Sequence, residues 1–446
     1  MRRSFSRSVR AERRERRAIT TSDPDTMRNA IRTLTLATAI VTLPAFGARA
    51  QRSQAASVPR SLRPAVAAVK TNNPWLLEQQ RTICEIPAPP FKEAARAAEL
   101  KRRFEALGLV NVRIDGEGNV IGERPGRGNG PTVVLSGHLD TVFPEGTDVQ
   151  VERDGTRFTA PGIADDCRGL AVILGVARAL ADTKVRTPGT ILFVGTVGEE
   201  GAGNLRGVRY LFERELQGKV DYFISVDGAG LGVTSRAVGS HRYRVHFAGP
   251  GGHSYGAFGM PSPIHAMGRA IALIDDIQVP RDPKTTFNVG IVRGGTSVNS
   301  IAAEASMDVD LRSESAEALA TLDEQFHAAL DKALAAERER WSASKAPLAI
   351  AIDTIGIRPT GAQADTARIV RVAVSAGKLL GFTPNTGASS TDSNIPISLG
   401  VPAITIDGGG TSRGSHSPDE WYDDGTDGYL GPQWALLIAT TLAGVK

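Results

Sequence analysis

The sequence predicts an α/β protein in which a mostly parallel sheet carries helices on both faces and a smaller α+β domain is inserted. Nearly continuous apolar strands alternate with amphipathic helices between residues 95 and 228, which is typical of parallel sheets covered by helices. Between about 240 and 355 the pattern changes to strands with a period of two, as half-exposed antiparallel strands have. The first pattern returns after residue 356.

The larger domain begins with six elements in regular succession. We predict, in chain order, a helix over 95–107, a strand over 131–140, a helix over 169–180, a strand over 190–200, a helix over 207–216 and a strand over 220–228. The strands are apolar along most of their length, so both of their faces are expected to be buried. Residues 66–239 therefore form the first part of the larger domain.

The inserted domain occupies residues 240–355. Its predicted elements are a strand over 242–249, a helix over 263–277, strands near 285–292 and 304–312, and a long helix from Ala316 to about Arg340. Two helices on one side of an antiparallel sheet make a separate α+β unit. A helix over 366–381 and a strand over 401–409 then complete the larger domain, residues 356–446.

The composition excludes several classes of protein. Of the 446 residues, 41% are hydrophobic and 22% charged, unlike disordered chains or polytopic membrane proteins. Beyond residue 50 the chain holds 41 basic and 44 acidic residues, so it has no electrostatic basis for binding nucleic acid. We expect the two cysteines, Cys84 and Cys167, to be small buried side chains, and the sequence leaves a single bridge between them open.

The first 50 residues resemble a leader. Arg28 and Arg32 precede an apolar stretch from Leu34 to Leu43, and Ala48-Arg49-Ala50 follows. This order is typical of a secretory signal peptide cleaved before Gln51, and the apolar stretch is too short to span a membrane. We expect an exported protein, periplasmic or secreted, with no membrane span after cleavage and a linker over 51–65.

Acidic and imidazole residues follow three predicted strands. His138 and Asp140 end one strand, Glu199 and Glu200 the next, and Asp227 the third. Ligands of open α/β sheets bind at the carboxyl ends of the strands, so these side chains are expected to converge.

Two further candidates lie in loops. Asp165-Asp166 precedes a helix, and His416 lies in a glycine-rich loop after the last strand. Carboxylates crowded at one edge repel unless cations neutralise them. Histidine with carboxylates and no thiolate suits zinc, manganese or cobalt. The number of ligands fits two ions about 3.5–4 Å apart, with Asp140 placed to orient the His138 ring.

Five segments together resemble the motif series of the two-zinc metallopeptidases, the family of peptidase T, glutamate carboxypeptidase, carnosinase and acetylornithine deacetylase. The segments are SGHLDTV, GIADDCRG, GTVGEEG, SVDG and GSHS. The resemblance covers nearly all of the chain after residue 70. It implies that the inserted domain is a lid and dimerisation domain.

The resemblance also implies a role for each matching position. The implied roles are His138 and Asp227 as ligands of one Zn²⁺, Glu200 and His416 as ligands of a second, Asp165 as the bridging ligand, Asp140 as a supporting carboxylate, Glu199 as general base, His253 as oxyanion stabiliser across a homodimer, and Asn299 and Arg312 as substrate contacts. Arg312 could equally be an ion-pair partner of Asp310 or Glu314. Cys167-Arg168 departs from the family, which often has lysine directly after the Asp pair.

The expected function is release of the N-terminal residue from di- and tripeptides by water activated by two Zn²⁺ ions, with Co²⁺ or Mn²⁺ as other metals. Asp227 favours this activity because acylases and carboxypeptidases of the family tend to carry Glu there. The alternatives are an N-acyl-amino-acid amidohydrolase, a glutamate-type carboxypeptidase and, from another class, a non-catalytic binding module on a decayed peptidase.

Overall fold

The computed structural model describes residues 57–445. The predicted signal segment, residues 1–50, and residues 51–56 of the predicted linker lie outside them. The end of that linker belongs to the first helix, which begins at Arg63, because Leu62 and Ala65 are buried in the core. Among the described residues, we find no helix with the length and apolar character that crossing a membrane requires.

The first part of the larger domain contains five α-helices and eight strands among the residues described. In chain order they are α1 (Arg63–Thr71), α2 (Asn73–Cys84), α3 (Ala94–Ala106), β1 (Val110–Ile114), β2 (Val120–Arg124), β3 (Val133–His138), β4 (Glu152–Asp154), β5 (Arg157–Thr159), α4 (Cys167–Asp182), β6 (Ile191–Thr196), α5 (Arg206–Tyr210), β7 (Tyr222–Val226) and β8 (Val233–Ala237). A π-helical turn, Leu211–Glu215, extends α5. The three strands predicted here are β3, β6 and β7.

The inserted domain, here called the lid, follows directly. Its elements are β9 (Gly239–Ala248), β10 (Gly252–His253), α6 (Pro263–Asp275), β11 (Thr285–Gly294), β12 (Ser300–Ile301), β13 (Glu304–Ser313), α7 (Ala316–Arg340) and β14 (Ala349–Arg358). Four strands form an antiparallel sheet in the order β11-β13-β9-β14. α6 and α7 pack on the sheet around an apolar cluster that includes Phe247 and Phe326. Ser315 accepts a hydrogen bond from the Ala318 N–H and so caps the start of α7.

The last part of the chain returns to the larger domain. Its elements are β15 (Gly361–Ala362), α8 (Arg368–Leu379), β16 (Thr386–Ser389), α9 (Asn394–Ser398), β17 (Ala403–Ile406), β18 (Thr411–Arg413), β19 (Trp421–Asp423) and α10 (Leu430–Leu442). β17 lies beside β7 and parallel to it. The two segments before and after the lid therefore share one sheet.

The sheet of the larger domain has four parallel strands at its centre, and the strand pairs outside them are antiparallel except for β16 with β8. Its strand order is β1-β2-β6-β3-β7-β17-β8-β15, with β16 paired to β8. β6, β3, β7 and β17 are parallel. A large apolar cluster that includes α4 and α10 covers one face, and a smaller cluster with α5 and α9 covers the other. The predicted α/β class, with helices on both faces, is confirmed.

Cys84 and Cys167 are buried, as expected, and they form the disulfide that the sequence left open. Cys84 ends α2 and Cys167 begins α4. These helices pack together, and the two Cα atoms are 5.4 Å apart, within the range that a disulfide spans. Sequence spacing could not reveal this contact, because 83 positions separate the residues.

We predict that Cys84→Ala combined with Cys167→Ala lowers the free energy of unfolding by about 2–4 kcal/mol, because the unfolded chain loses a cross-link that closes a long loop. Urea unfolding followed by circular dichroism measures the change. Wild-type protein kept under reductant is the control and should unfold at the same urea concentration as the double variant. Equal stability of oxidised wild type and double variant would rule out a stabilising bridge.

Candidate active site

Three neighbouring strands bring the predicted ligands to one edge of the sheet. β3 lies between β6 and β7 and runs parallel to both. His138 ends β3, Glu199 and Glu200 follow β6, and Asp227 follows β7. His138 and both glutamates are buried, and Asp227 is half-buried. The carboxyl ends of adjacent parallel strands thus supply four chemically active side chains to one place.

A first group of metal-competent atoms comes from His138, Asp165 and Asp227, which lie within 4.8 Å of one another. His138 Nε2 is 3.0 Å from Asp165 Oδ1 and 4.0 Å from Asp227 Oδ1. The other ring nitrogen, Nδ1, lies 3.0 Å from the backbone carbonyl oxygen of Asp140. A contact of this kind fixes the ring so that Nε2 faces the carboxylates.

A second group comes from Asp165, Glu200 and His416. His416 Nε2 is 3.0 Å from Glu200 Oε1 and 3.2 Å from Asp165 Oδ2. Asp165 thus presents Oδ1 to one histidine and Oδ2 to the other. The same carboxylate belongs to both groups, which is the arrangement of a bridging ligand between two ions.

The Asp140 side chain lies beside His138 and also contacts the backbone of both glutamates. Its carboxylate oxygen is 3.7 Å from His138 Nδ1, and it accepts hydrogen bonds from the backbone N–H groups of Glu199, at 3.0 Å, and Glu200, at 2.8 Å. Since β3 ends at His138, the rule that residues two apart face the same side does not extend to Asp140. The Asp140 carboxylate therefore fixes the backbone that carries both glutamates.

Glu420 and Asp166 hold the loop that carries Asp165. The Glu420 carboxylate accepts hydrogen bonds from the backbone N–H groups of Gly162, Ala164 and Asp165, at 2.9–3.0 Å. The Asp166 carboxylate accepts from the N–H groups of His138 and Gly169, caps α4 and so joins the loop to β3. Both carboxylates are buried. Asp165 is consequently held through its backbone, which leaves its carboxylate oxygens to face the two histidines.

Glu199 belongs to neither group that shares Asp165. It forms a third group with His138 and Glu200, and its Oε1 atom accepts a hydrogen bond from Arg358 Nη1 at 3.1 Å. Burial raises the pKa of Glu199 to about 8, because desolvation outweighs the attraction of the Arg358 charge. A carboxylate with a pKa near neutrality is able both to accept and to return a proton.

The pKa values of the two aspartates are shifted in opposite directions. Burial, followed by the negative charge of Asp165, raises the pKa of Asp227 well above its ordinary value. Burial opposes ionisation of Asp165 too, but hydrogen bonds with His138 and His416 lower its pKa. Hydrogen bonds with Asp165 and Glu200 raise the pKa of His416 to about 10. Protons on the histidines thus supply positive charge that divalent cations would replace on binding.

The donor set fits two divalent metal ions. All donors are imidazole nitrogens and carboxylate oxygens, which suit zinc, manganese and cobalt. Residues 134–431 match the model of peptidase family M20/M25/M40. The chain belongs to that family.

The proteins that this chain resembles differ from one another in the reactions that their names describe. Carboxypeptidase G2 of Pseudomonas sp. strain RS-16 is 29% identical over 233 residues, which are 49% of this chain and 54% of that protein. A tripeptidase of Staphylococcus aureus superposes with a TM-score of 0.68 at 23% identity and covers 82% of this chain and 98% of its own. The YXEP protein of Bacillus subtilis, a dinuclear metal-binding peptidase, gives a TM-score of 0.61 at 19% identity, over 84% and 99% of the two chains. The two structures show the shared fold.

His253 and Asn299 lie together in the lid and away from the ligand groups. β10 pairs with β12, and the Ser254 N–H donates to the Asn299 carbonyl at 2.9 Å. Both side chains line an open groove of about 780 Å³. Within residues 57–445, no hydrogen bond or ion pair joins His253 to a predicted metal ligand. His253 Nδ1 accepts from the N–H groups of Tyr255 and Gly256 at 3.3 Å, so Nε2 carries the proton of the neutral ring.

Arg312 lies at the opposite end of the lid sheet. It pairs in register with Ser240, at the start of β9, whereas Glu304 at the other end of β13 pairs with Ala248. Ten residues of strand, about 30 Å, run between these ends. Arg312 Nε donates to Asp310 Oδ2 at 2.5 Å, which is the ion pair that the sequence left open as the alternative. Within one chain, therefore, the three predicted lid residues do not form a single site.

The departure at Cys167-Arg168 is accommodated inside the domain. Arg168 is fully buried, and its guanidinium donates to the carbonyl oxygens of Gly408 and Gly428 at 2.8 and 2.7 Å and to Gln80 Oε1 at 3.2 Å. It also stacks 4.7 Å from the centre of the Tyr422 ring. This arginine ties α4 to the loops after β17 and β19, so the unusual sequence packs without disturbing the ligands.

Sequence reasoning missed two residues that contact the site, Glu420 and Arg358. Glu420 lies four positions after His416 in SHSPDEW, a segment without helical or strand periodicity. Arg358 ends the last lid strand, where an arginine normally indicates only a solvated strand end. No local pattern distinguishes either residue, because their partners are distant in the chain.

We predict that Glu420→Gln lowers the affinity for divalent metal by about 10- to 100-fold, as loss of residues that orient metal ligands does. Only one oxygen would remain to accept from three N–H groups, so the Asp165 loop would loosen. Metal content after equilibration with graded zinc buffers measures the effect. Asp419→Asn, at the exposed neighbouring position, is the matched control and should bind metal like wild type. Unchanged affinity in Glu420→Gln would show that this loop does not need its buried acceptor.

Proposed function

We propose that this M20 hydrolase is a metal-dependent aminopeptidase that releases the N-terminal residue of di- and tripeptides. The observation that carries the proposal is the buried carboxylate of Glu199, outside the two groups that share Asp165 but beside them. Hydrolysis of an amide needs a group that accepts a proton from water and returns it to the leaving amine. Glu199 lies beside the two groups that share Asp165 without belonging to either, so its carboxylate is placed for that role.

In the proposed reaction the metal ions and the Glu199 carboxylate have different tasks. When bound, a pair of divalent cations polarises the scissile carbonyl and lowers the pKa of a water molecule. Glu199 Oε1 is held by Arg358, and among residues 57–445 no side chain donates to Oε2, which is thus free to take the proton. Burial of the site strengthens each of these electrostatic interactions.

The proposal assigns oxyanion stabilisation to His253 in a homodimer formed through the lid. Its Nε2–H is not engaged by another described residue, and a donor held ready for the developing negative charge is what the step requires. Exposed apolar side chains on the outer strand β11, Ile291 and Val292, support an interface at that edge. In such a dimer His253 of one protomer would serve the site of its partner.

Substrate selection is proposed to rest on Asp227, Asn299 and Arg312. Asp227 has the shorter acidic side chain, and the resemblance associates it with aminopeptidases and dipeptidases. Asn299 shares the groove with His253, which supports a contact with the peptide backbone. Arg312 is proposed to bind the substrate carboxylate, for which it would have to leave Asp310.

Zinc is the proposed metal, and export is the proposed location. Two histidines with carboxylates suit zinc, although cobalt and manganese share these ligands. The Cys84–Cys167 disulfide supports an oxidising compartment, consistent with the predicted signal segment.

The second candidate is hydrolysis of N-acyl amino acids or of C-terminal glutamate. The relation to carboxypeptidase G2 favours it. A catalytically inactive binding module is the remaining alternative, and the complete ligand set together with Glu199 argues against it.

A matched substrate panel separates these functions. Protein beginning at Gln51 would be loaded with zinc, cobalt or manganese and given free-amine di- and tripeptides and N-acyl amino acids, with and without chelator. The proposal expects chelator-sensitive cleavage of free-amine peptides at the N-terminal bond. Cleavage of N-blocked substrates alone would support the second candidate, hydrolysis of N-acyl amino acids or of C-terminal glutamate. Bound metal without turnover would support the binding module.

We predict that Glu199→Gln retains its metal but loses activity, with kcat lowered at least 100-fold, since an amide cannot take the proton. Metal content and kcat are measured on the same samples. Glu145→Gln, an exposed carboxylate outside the ligand groups, is the control and should keep wild-type kcat. Full activity in Glu199→Gln would remove the general-base role.

We predict that His253→Ala lowers kcat about 100-fold or more, as loss of one oxyanion donor does, and leaves metal content unchanged. If the donor acts across a dimer, mixing His253→Ala with Glu199→Gln should restore part of the activity, because one of the two sites in a mixed dimer is intact. His265→Ala, an exposed lid histidine, is the control. Wild-type turnover in His253→Ala would exclude the oxyanion role.

A further inference from the structure

Both strands that connect the lid to the larger domain contact the loop that carries Glu199 and Glu200. β9 begins at Gly239 and β14 ends at Arg358, and these ends pair with each other, Arg358 opposite Ser240. The loop after β6 continues from Glu199 through a 3₁₀ turn to Asn204. The strand ends that join the lid to the larger domain therefore contact the loop of the two glutamates.

Among these contacts, that of Arg358 reaches both the side chain and the backbone of Glu199. Its Nη1 donates to Glu199 Oε1 at 3.1 Å and to Ser390 Oγ at 3.1 Å, and its Nη2 donates to the backbone carbonyl oxygen of Glu199. The side chains of Arg358 and Glu199 are only 4% and 6% exposed. One rigid guanidinium thus fixes both the carboxylate and the backbone of the same residue.

The same strands hold the rest of the loop. Arg242 Nη1, from β9, donates to the Gly201 carbonyl at 2.8 Å. The Ile357 N–H, from β14, donates to Asn204 Oδ1 at 3.0 Å. Asp140 holds the opposite side of the loop through its N–H groups, as described above. The larger domain therefore fixes the donors of this loop, and the lid strands fix its acceptors.

We propose that Arg358 is a positioning residue, which holds the Glu199 carboxylate at the edge of the ligand groups and ties its placement to the lid. This rests on the base role proposed above for Glu199. A carboxylate beside that of Glu200 would otherwise turn toward a cation or away from its neighbour. Arg358 prevents both movements because it binds Oε1 and the backbone together, and Oε2 stays available.

The contact suits positioning of Glu199 better than binding of substrate. Both terminal nitrogens of Arg358 are occupied by Glu199 and Ser390, and the Nε atom, which has no acceptor among the described residues, is buried. A substrate carboxylate would have to displace Glu199 to reach this guanidinium. Since Arg358 is the last residue of β14, a rotation of the lid about the adjoining residues would move the guanidinium relative to the loop.

The activity test compares Arg358→Ala with wild type on whichever substrate the chain cleaves. We expect kcat to fall about 100-fold, the cost of a small misplacement of a reacting group, with KM and metal content unchanged. Millimolar guanidinium chloride should restore part of the lost kcat, which it would not do for a fold defect. Arg281→Ala is the matched control, since it removes an exposed lid arginine that makes no hydrogen bond or ion pair with the described residues of this loop, and it should show neither the loss nor the rescue.

Two further measurements decide the proposal. In a Glu199→Gln background, Arg358→Ala should have no additional effect on kcat, because it acts through that carboxylate. Crystal structures of the zinc-loaded variants test the placement without activity: the Glu199 carboxylate should move in Arg358→Ala and stay in Arg281→Ala. An unmoved Glu199 would overturn the proposal, as would a raised KM with wild-type kcat, which would assign Arg358 to substrate binding. If wild type cleaves nothing, the base role fails, and the crystal structures still answer the positioning question.

Discussion

The carboxylate of Asp165 lies between two histidines, and the candidate site is built around it. Its Oδ1 atom is 3.0 Å from His138 and its Oδ2 atom is 3.2 Å from His416. His138 comes from the centre of the parallel sheet and His416 from a loop near the end of the chain. Asp165 therefore contacts one segment that precedes the lid in the chain and one that follows it. Both ligand groups depend on the loop that holds Asp165.

Repulsion among the buried carboxylates of the site is offset by backbone N–H donors and by imidazole nitrogens. Buried carboxylates at a strand edge repel one another, and burial makes each charge costly. The carboxylates of Asp140, Asp166 and Glu420, which belong to none of the three metal-competent groups, each accept hydrogen bonds from two or three backbone N–H groups. They thereby fix the segments that carry the ligands. The ligand carboxylates themselves turn toward imidazole nitrogens, in positions where divalent cations would supply charge.

The sequence predicted which side chains converge, because strand order determines where they lie. Apolar strands that end in His138, Glu199 and Asp227 could only converge if they were parallel neighbours, and they are. For Asp140 the structure adds a contact that the sequence did not predict, because its carboxylate also accepts from the backbone N–H groups of Glu199 and Glu200. Arg358 was missed because its partner Glu199 is 159 positions away. Contacts of this kind arise from domain packing, which local patterns do not record.

We propose that Asp165 is shared by two metal ions. Crystals of the zinc-loaded protein, measured at the zinc absorption edge, test this most directly through anomalous difference density. Sharing predicts two peaks about 3.5–4 Å apart, one beside His138 and Asp227 and one beside Glu200 and His416, each within coordinating distance of Asp165. A single peak, or two peaks of which only one touches Asp165, would show that the carboxylate is not shared.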